Sequence, residues 1–163
     1  MVHSVPDLVP VFDRKQLTEI IVQMVQSLPA GQLTEQKLST LKELTHSPLF
    51  EHAECRAAMM QEISGRVGAT LEDVFDNGAP ASLLPLCIQT LGDVLNALHR
   101  FERARPGSTF DDVSVLIGNV LRTVVKGVAG RRGNGECGDE GVQALVANMI
   151  GLFRAMTPAH YDR

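Results

Sequence analysis

The sequence has no tryptophan, one tyrosine and an aromatic share of only 4%. Sandwiches and barrels usually spend aromatic and β-branched residues on their sheets. This scarcity therefore favours packed helices with a core of Leu, Ile, Val, Ala and Met. Cysteine is sparse too: Cys55, Cys87 and Cys137 are an odd set at wide spacings, without a Cys-x-x-Cys pair. Neither a zinc site nor a disulfide framework is indicated, and a reducing, cytoplasmic compartment fits best. Positive charge is not in excess, since 15 Lys and Arg stand against 19 Asp and Glu. The formal charge of −4 gives no long-range attraction for nucleic acid or an anionic membrane. No basic segment leads into an apolar run at the N-terminus, so no signal peptide is expected. No stretch reads as a membrane span of ~18 apolar residues, and no transmembrane segment is expected.

What is present is an ordinary globular balance, 44% hydrophobic and 21% charged over 163 residues, enough for one ordered domain. Six segments carry the 3.6-residue apolar period. The first follows Asp13, an N-cap with Gln16 at the capping-box position, and its stripe is Leu17, Ile20, Ile21, Met24, Val25 and Leu28. Pro29-Ala30-Gly31 ends it. The second starts at Thr34, buries Leu38, Leu41 and Leu44, and stops before Ser47-Pro48. The third runs from about His52 to about Phe75 with Cys55, Ala58, Met59, Ile63 and Val67 on one side; Gly65 and Gly68 weaken it.

Asp76-Asn77-Gly78 reads as a turn, and Pro80 suits the first position of the fourth helix, with Pro85 tolerated in its first turn. Leu83, Leu84, Cys87, Ile88, Leu91, Val94, Leu95 and Leu98 give that helix a wide apolar surface, which implies neighbours on two sides. The fifth opens at Thr109 with Asp112 three residues on, a near capping box. Its stripe is Val113, Leu116, Ile117, Val120, Leu121, Val124, Val125 and Val128. After the glycine-rich loop 130–138, the sixth begins at Asp139 and buries Val142, Leu145, Val146, Met149, Ile150, Phe153 and Met156.

Six amphipathic helices on short connections read as three antiparallel pairs, a pattern that a compact bundle and a short solenoid both satisfy. No strict repeat is visible. The expected fold is all-α, an irregular α-solenoid of the armadillo or HEAT kind over residues 13–157. An extended segment, 1–12, precedes it. Thr157-Pro158 signals the start of a truncated following helix, 158–163. Val22 and Leu152 lie off the main stripes and suggest second contact surfaces.

Chemistry is hard to place on this chain. His3, His46, His52, His99 and His160 form no His-x-x-x-His pair, so a helical metal site has no support. His46 and His52 read as exposed turn residues, and His99 as a group near a helix C-terminus. Cys137 lies beside Glu136 and Asp139, which would raise its pKa rather than activate it. Gly130-Arg131-Arg132-Gly133-Asn134-Gly135 lacks the lysine and the preceding strand of a phosphate-binding loop. Asp111-Asp112 and Glu72-Asp73 are adjacent acids that diverge on a helix, and Asp112 is more simply a capping residue. No catalytic, cofactor-binding or metal-binding residue is assigned. Basic residues gather at Arg100, Arg103 and Arg105, and again at Arg122, Lys126, Arg131 and Arg132. The plain reading of both groups is a solvated polar face; the sharper reading makes the second a partner-binding basic face.

Phe12-Asp13-Arg14-Lys15-Gln16-Leu17-Thr18-Glu19-Ile20-Ile21 resembles the start of a helix in the central region of dedicator-of-cytokinesis proteins. The likeness continues through Leu49-Phe50 to Cys55-Arg56, Val120-Leu121-Arg122-Thr123-Val124, and Met156-Thr157-Pro158-Ala159-His160-Tyr161, in the family's order. It points to the subfamily acting on Rac. The resemblance implies a helical-repeat segment between a lipid-binding C2-like domain and a C-terminal exchange domain. The parent would promote nucleotide exchange on Rac-type GTPases, meet its GTPase partner outside this segment, and be recruited from cytoplasm to plasma membrane. No exchange-domain motif matches here, so the expected role is a non-catalytic scaffold contacting the flanking domains of a larger chain. The alternative is a stand-alone helical adaptor binding a partner in an inter-helix groove.

Overall fold

The computed structural model describes residues 5–29, 33–130 and 139–157, and among them every regular element is helical. The elements are α1 (Val5–Leu8), α2 (Arg14–Ser27), α3 (Thr34–Thr45), α4 (Ala53–Asp76), α5 (Leu84–Ala104), α6 (Phe110–Leu116), a π-helical segment (Ile117–Leu121), α7 (Arg122–Gly130) and α8 (Asp139–Ala155). Short 3₁₀ turns at Pro48–Glu51 and Ala81–Leu83 precede α4 and α5.

Local chemistry explains several of the boundaries. The Asp13 carboxylate accepts from the Gln16 amide at 3.0 Å and satisfies an orphan donor of α2. Gly78 takes φ +71° and Gly107 φ +82° in the turns after α4 and α5, a conformation that favours glycine. Pro85, rather than Pro80, occupies the first turn of α5; Pro80 instead leads into the 3₁₀ turn. Residues 5–8 are not extended as expected but form one helical turn. Leu8 and Val9 rest against the core, and the Leu8 carbonyl accepts from the amides of Val11 and Phe12, both at 3.0 Å.

Contacts between elements decide between bundle and solenoid. α2 packs chiefly on α4, and α4 on the α6–π–α7 helix; in a second layer α3 packs on α5, and α5 on α8. Neighbours within a layer run parallel. Along α4 and its partner, Arg56 meets Asp112, Ser64 meets Asn119, and Asp76 meets Lys126. In the other layer Lys42 and His46 of α3 reach Gln89 and Asp93 of α5 in the same order. An up-and-down bundle would place antiparallel helices side by side in sequence. Parallel helices within each of two layers mean that hairpins stack in one direction, the geometry of a solenoid.

α5 has the length and apolarity of a membrane span. Its broad face is used otherwise: Leu84, Cys87, Leu91, Val94, Leu95 and Leu98 are buried, with α3 on one side and α8 on the other. Leu38, Leu41, Leu44, Leu49, Phe50, Met59, Met60, Ile63 and Val67 continue the same core through α3 and α4.

Five apolar residues expected inside are exposed: Ile20, Ala58, Val125, Ile150 and Phe153. In α2 the buried arc includes Thr18, whose hydroxyl donates to the Arg14 carbonyl, and this turns Ile20 outward. In α8 the face against α5 carries Leu145, Asn148 and Leu152, so Leu152 is core while Ile150 and Phe153 point away. The side chain of Val142 lies outside the described residues.

The two glycines of α4 differ sharply. A Cβ on Gly68 would collide with the Asn119 backbone carbonyl, whereas Gly65 faces open space. The π-helical turn at Ile117–Leu121 widens the helix where that carbonyl approaches. Gly127 repeats the close approach, since a Cβ there would overlap the Phe75 ring. Gly68→Ala should lower stability by about 1–2 kcal/mol net, the overpacking outweighing the better helix propensity. Gly65→Ala should raise it by up to about 1 kcal/mol. Urea midpoints of the two variants should therefore move in opposite directions.

Candidate functional site

A charged residue in phase with an apolar stripe is the first sign of a special position. Arg56 precedes Met60 and Ile63 on the buried face of α4 and is itself only 3% exposed. Its Nε donates to Asp112 Oδ2 at 2.7 Å, and Nη2 donates to the Ser108 carbonyl at 3.2 Å. Nη1 points at the Phe50 carbonyl, 3.5 Å away. The guanidinium lies 4.7 Å from the centroid of the Phe101 ring, which tilts against Phe50 at 6.3 Å. One side chain thus connects the turn before α4, the end of α5, the α5–α6 loop and the start of α6.

Glu102 secures that loop from below. Its carboxylate accepts from the Gly107 amide at 2.6 Å and from the Thr109 hydroxyl at 2.7 Å. Thr109 and Asp112 therefore do not form the capping box expected of them, because both side chains are drawn inward to Glu102 and Arg56. Burial raises the Asp112 pKa above its ordinary 3.8; Arg56 opposes this by hydrogen bond and charge, and Asp111 adds to it. The native state holds that proton at a higher pH than the unfolded chain does. This group's contribution to stability is complete below 3.8 and is lost as pH rises through the raised native value. The ion pair is thus a device for position more than for stability.

A second buried cation, Lys37, closes the first hairpin. Its ammonium donates to the carbonyls of Leu28 and Pro29 at 2.8 and 2.7 Å, where α2 ends. Charge alone reads Lys37, Arg56 and Asp112 as solvent-facing; their phase with Leu41, Met60 and Leu116 four residues on is the available signal.

The expected basic face is only partly described. Arg122 and Lys126 share an exposed side of α7, and Lys126 is bonded to Asp76 of α4. Arg131 and Arg132 lie outside the described residues, as do Cys137, His3, His160 and the segment 158–163. His46 is exposed and hydrogen-bonds Asp93 at 3.1 Å. Cys55 and Cys87 are buried; desolvation pushes the Cys87 thiol up to about 12, so it stays protonated and is no nucleophile. Among the described residues no group of three or more His, Cys, Asp or Glu could hold a metal ion.

Two concavities among the described residues bear on function. An apolar one between α5, the α6–π–α7 helix and α8, lined by Leu91, Leu95, Val120, Val124, Met149 and Leu152 among others, holds about 10 Å³, no more than one water's worth. The other is a surface cleft of about 780 Å³ at the C-terminal ends of α5 and α8, lined by Asn96, His99, Arg100, Arg103, Ala104 and Arg154. The sequence groups Arg100 with Arg103, but only the stacking of α8 on α5 brings Arg154 to them.

Stacked two-helix units with parallel layers define a helical-repeat protein, one whose order lies in the interfaces between hairpins. The family described as the dedicator of cytokinesis (DOCK) TPR region matches residues 2–163, and the chain belongs to that family. No solved structure matches it. The chain is accordingly a helical segment of a dedicator-of-cytokinesis protein and not its catalytic domain.

Arg56→Met should cost about 3–5 kcal/mol at neutral pH, because it strands a buried carboxylate. Without Arg56 the two influences that lower the Asp112 pKa disappear, so the deficit should narrow as acid protonates it. Arg56→Met with Asp112→Leu should recover most of the loss. Urea denaturation at several pH values measures all three.

Proposed function

We propose that this segment is a non-catalytic scaffold, holding neighbouring domains in a fixed relation within a parent that promotes nucleotide exchange on Rac-type GTPases. The reading rests on one observation above the others: the buried Arg56 node fastens the second hairpin to the third at a single point shared by four elements. Such a joint resists bending between repeats, and a stacked array transmits position through joints of this kind. Exposed Val125, Ile150 and Phe153 on the last hairpin would give a flanking repeat or domain an apolar surface to pack on. The parent would work in the cytoplasm and reach the plasma membrane through other domains, with its GTPase partner bound elsewhere. Resemblance of the ordered motifs to the Rac-acting subfamily supports that specificity.

Release of a fluorescent GDP analogue from Rac tests the reading. The chain alone should leave release at the intrinsic rate, and a clear acceleration would overturn the assignment. In the full-length parent, Arg56→Met should slow exchange relative to the unaltered protein. An unchanged rate in a folded parent would remove the scaffold role.

A further inference from the structure

The cleft at the ends of α5 and α8 carries a charge that the fold does not use. Along α5, His99 and Arg100 lie three and four residues after Asn96, and Arg103 lies four and three residues after them; Arg154 comes from the last turn of α8. Among the described residues no carboxylate lines the cleft. Among the described residues Arg100, Arg103 and Arg154 make no ion pair, although the chain as a whole carries −4. Basic groups do complement helix C-termini, which explains part of the arrangement. Two helix ends supply only about half a negative charge each, however, so three guanidiniums leave a surplus of roughly two positive charges.

The surplus is also held in place. The Arg100 guanidinium sits 5.2 Å from the centroid of Phe101, the same ring that Arg56 contacts in the core. Anchoring on a partly buried ring reduces the freedom Arg100 loses when it takes a ligand. Planar guanidinium forks match carboxylate and phosphate groups alike. A bilayer is the poorer fit, because a flat surface cannot enter a concave site and the acidic remainder of the chain would repel it. A length of polypeptide can enter, and about 780 Å³ accommodates several side chains.

We propose that this cleft binds an acidic peptide segment of a partner protein, with Arg100, Arg103 and Arg154 engaging its clustered anionic side chains. This goes beyond the scaffold role and does not depend on it, since it concerns an open surface and not the joints between hairpins.

Fluorescence anisotropy with the 163-residue chain and two labelled peptides tests it. One peptide is hexaglutamate, and the other has the same length with phosphoserines alternating with glycine. At low salt one or both should bind saturably and weaken as salt is added; the tighter one identifies the anionic group. Arg100→Glu with Arg103→Glu should reduce affinity by about tenfold or more. Arg122→Glu, an equally exposed reversal on α7, should change it by less than about twofold. Circular dichroism checks that the variants fold, and Arg154→Glu alone on α8 provides an independent reversal. Failure of both peptides to bind would overturn the proposal. So would equal losses in the Arg122 variant, or capture by mixed phosphatidylcholine–phosphatidylserine vesicles through these arginines without peptide binding.

Discussion

The guanidinium of Arg56 sits where four elements meet, and the stacking of the hairpins depends on that meeting. A cation removed from water must find partners, and here each partner belongs to a different stretch of chain: Asp112, Ser108, Phe50 and Phe101. Hydrophobic contact is non-directional and would let α4 slide along the α6–π–α7 helix by a turn. A hydrogen-bonded charge does not permit that slip, because one turn of displacement would strand both Arg56 and Asp112 in the core. Register is thereby set at one end of the interface. At the other end it is set by shape, through Gly68 beneath the Asn119 carbonyl and Gly127 beneath the Phe75 ring.

Fixed register has a consequence for what the segment can do. The parallel order of contacts in both layers makes the array a directional stack, in which each hairpin positions the next. Polar bridges recur along the layers, as Ser64 to Asn119 and the Ile88 carbonyl to Asn148, at 2.8 and 2.9 Å. These are modest contacts individually, and their value lies in being satisfied only in one arrangement. A segment built this way keeps its own hairpins in register, and it belongs to the family described as the dedicator of cytokinesis (DOCK) TPR region.

Much of this was legible in the residues. Asp13, Pro48 and Asn77-Gly78 mark chain reversals and helix starts by local chemistry, which needs no knowledge of the fold, whereas Pro80 set the start of α5 four residues too early. The wide face of α5 foretold neighbours on two sides, and α3 and α8 are those neighbours. Charges buried by distant partners were not legible. Asp112 looks like a cap in its own helix and becomes an ion-pair partner only because Arg56 lies opposite, 56 positions away. Ile150 and Leu152 exchanged places for a related reason: which arc of α8 is buried depends on where α5 stands, and periodicity fixes the width of a stripe better than its centre. Likewise Gly68 reads as a weak point in a helix until the Asn119 backbone is seen against it. For the basic cleft, half the signal is local in α5 and half comes from Arg154, which stacking alone supplies.

Native-state hydrogen exchange followed residue by residue tests the central claim, that the Arg56 node makes α4 and the third hairpin one cooperative unit. The account predicts that amides of Phe110–Leu116 open with the same free energy as the central amides of Ala53–Asp76, and that both fall together as denaturant is added. Opening of α6 at far lower free energy, while α4 stays protected, would contradict it.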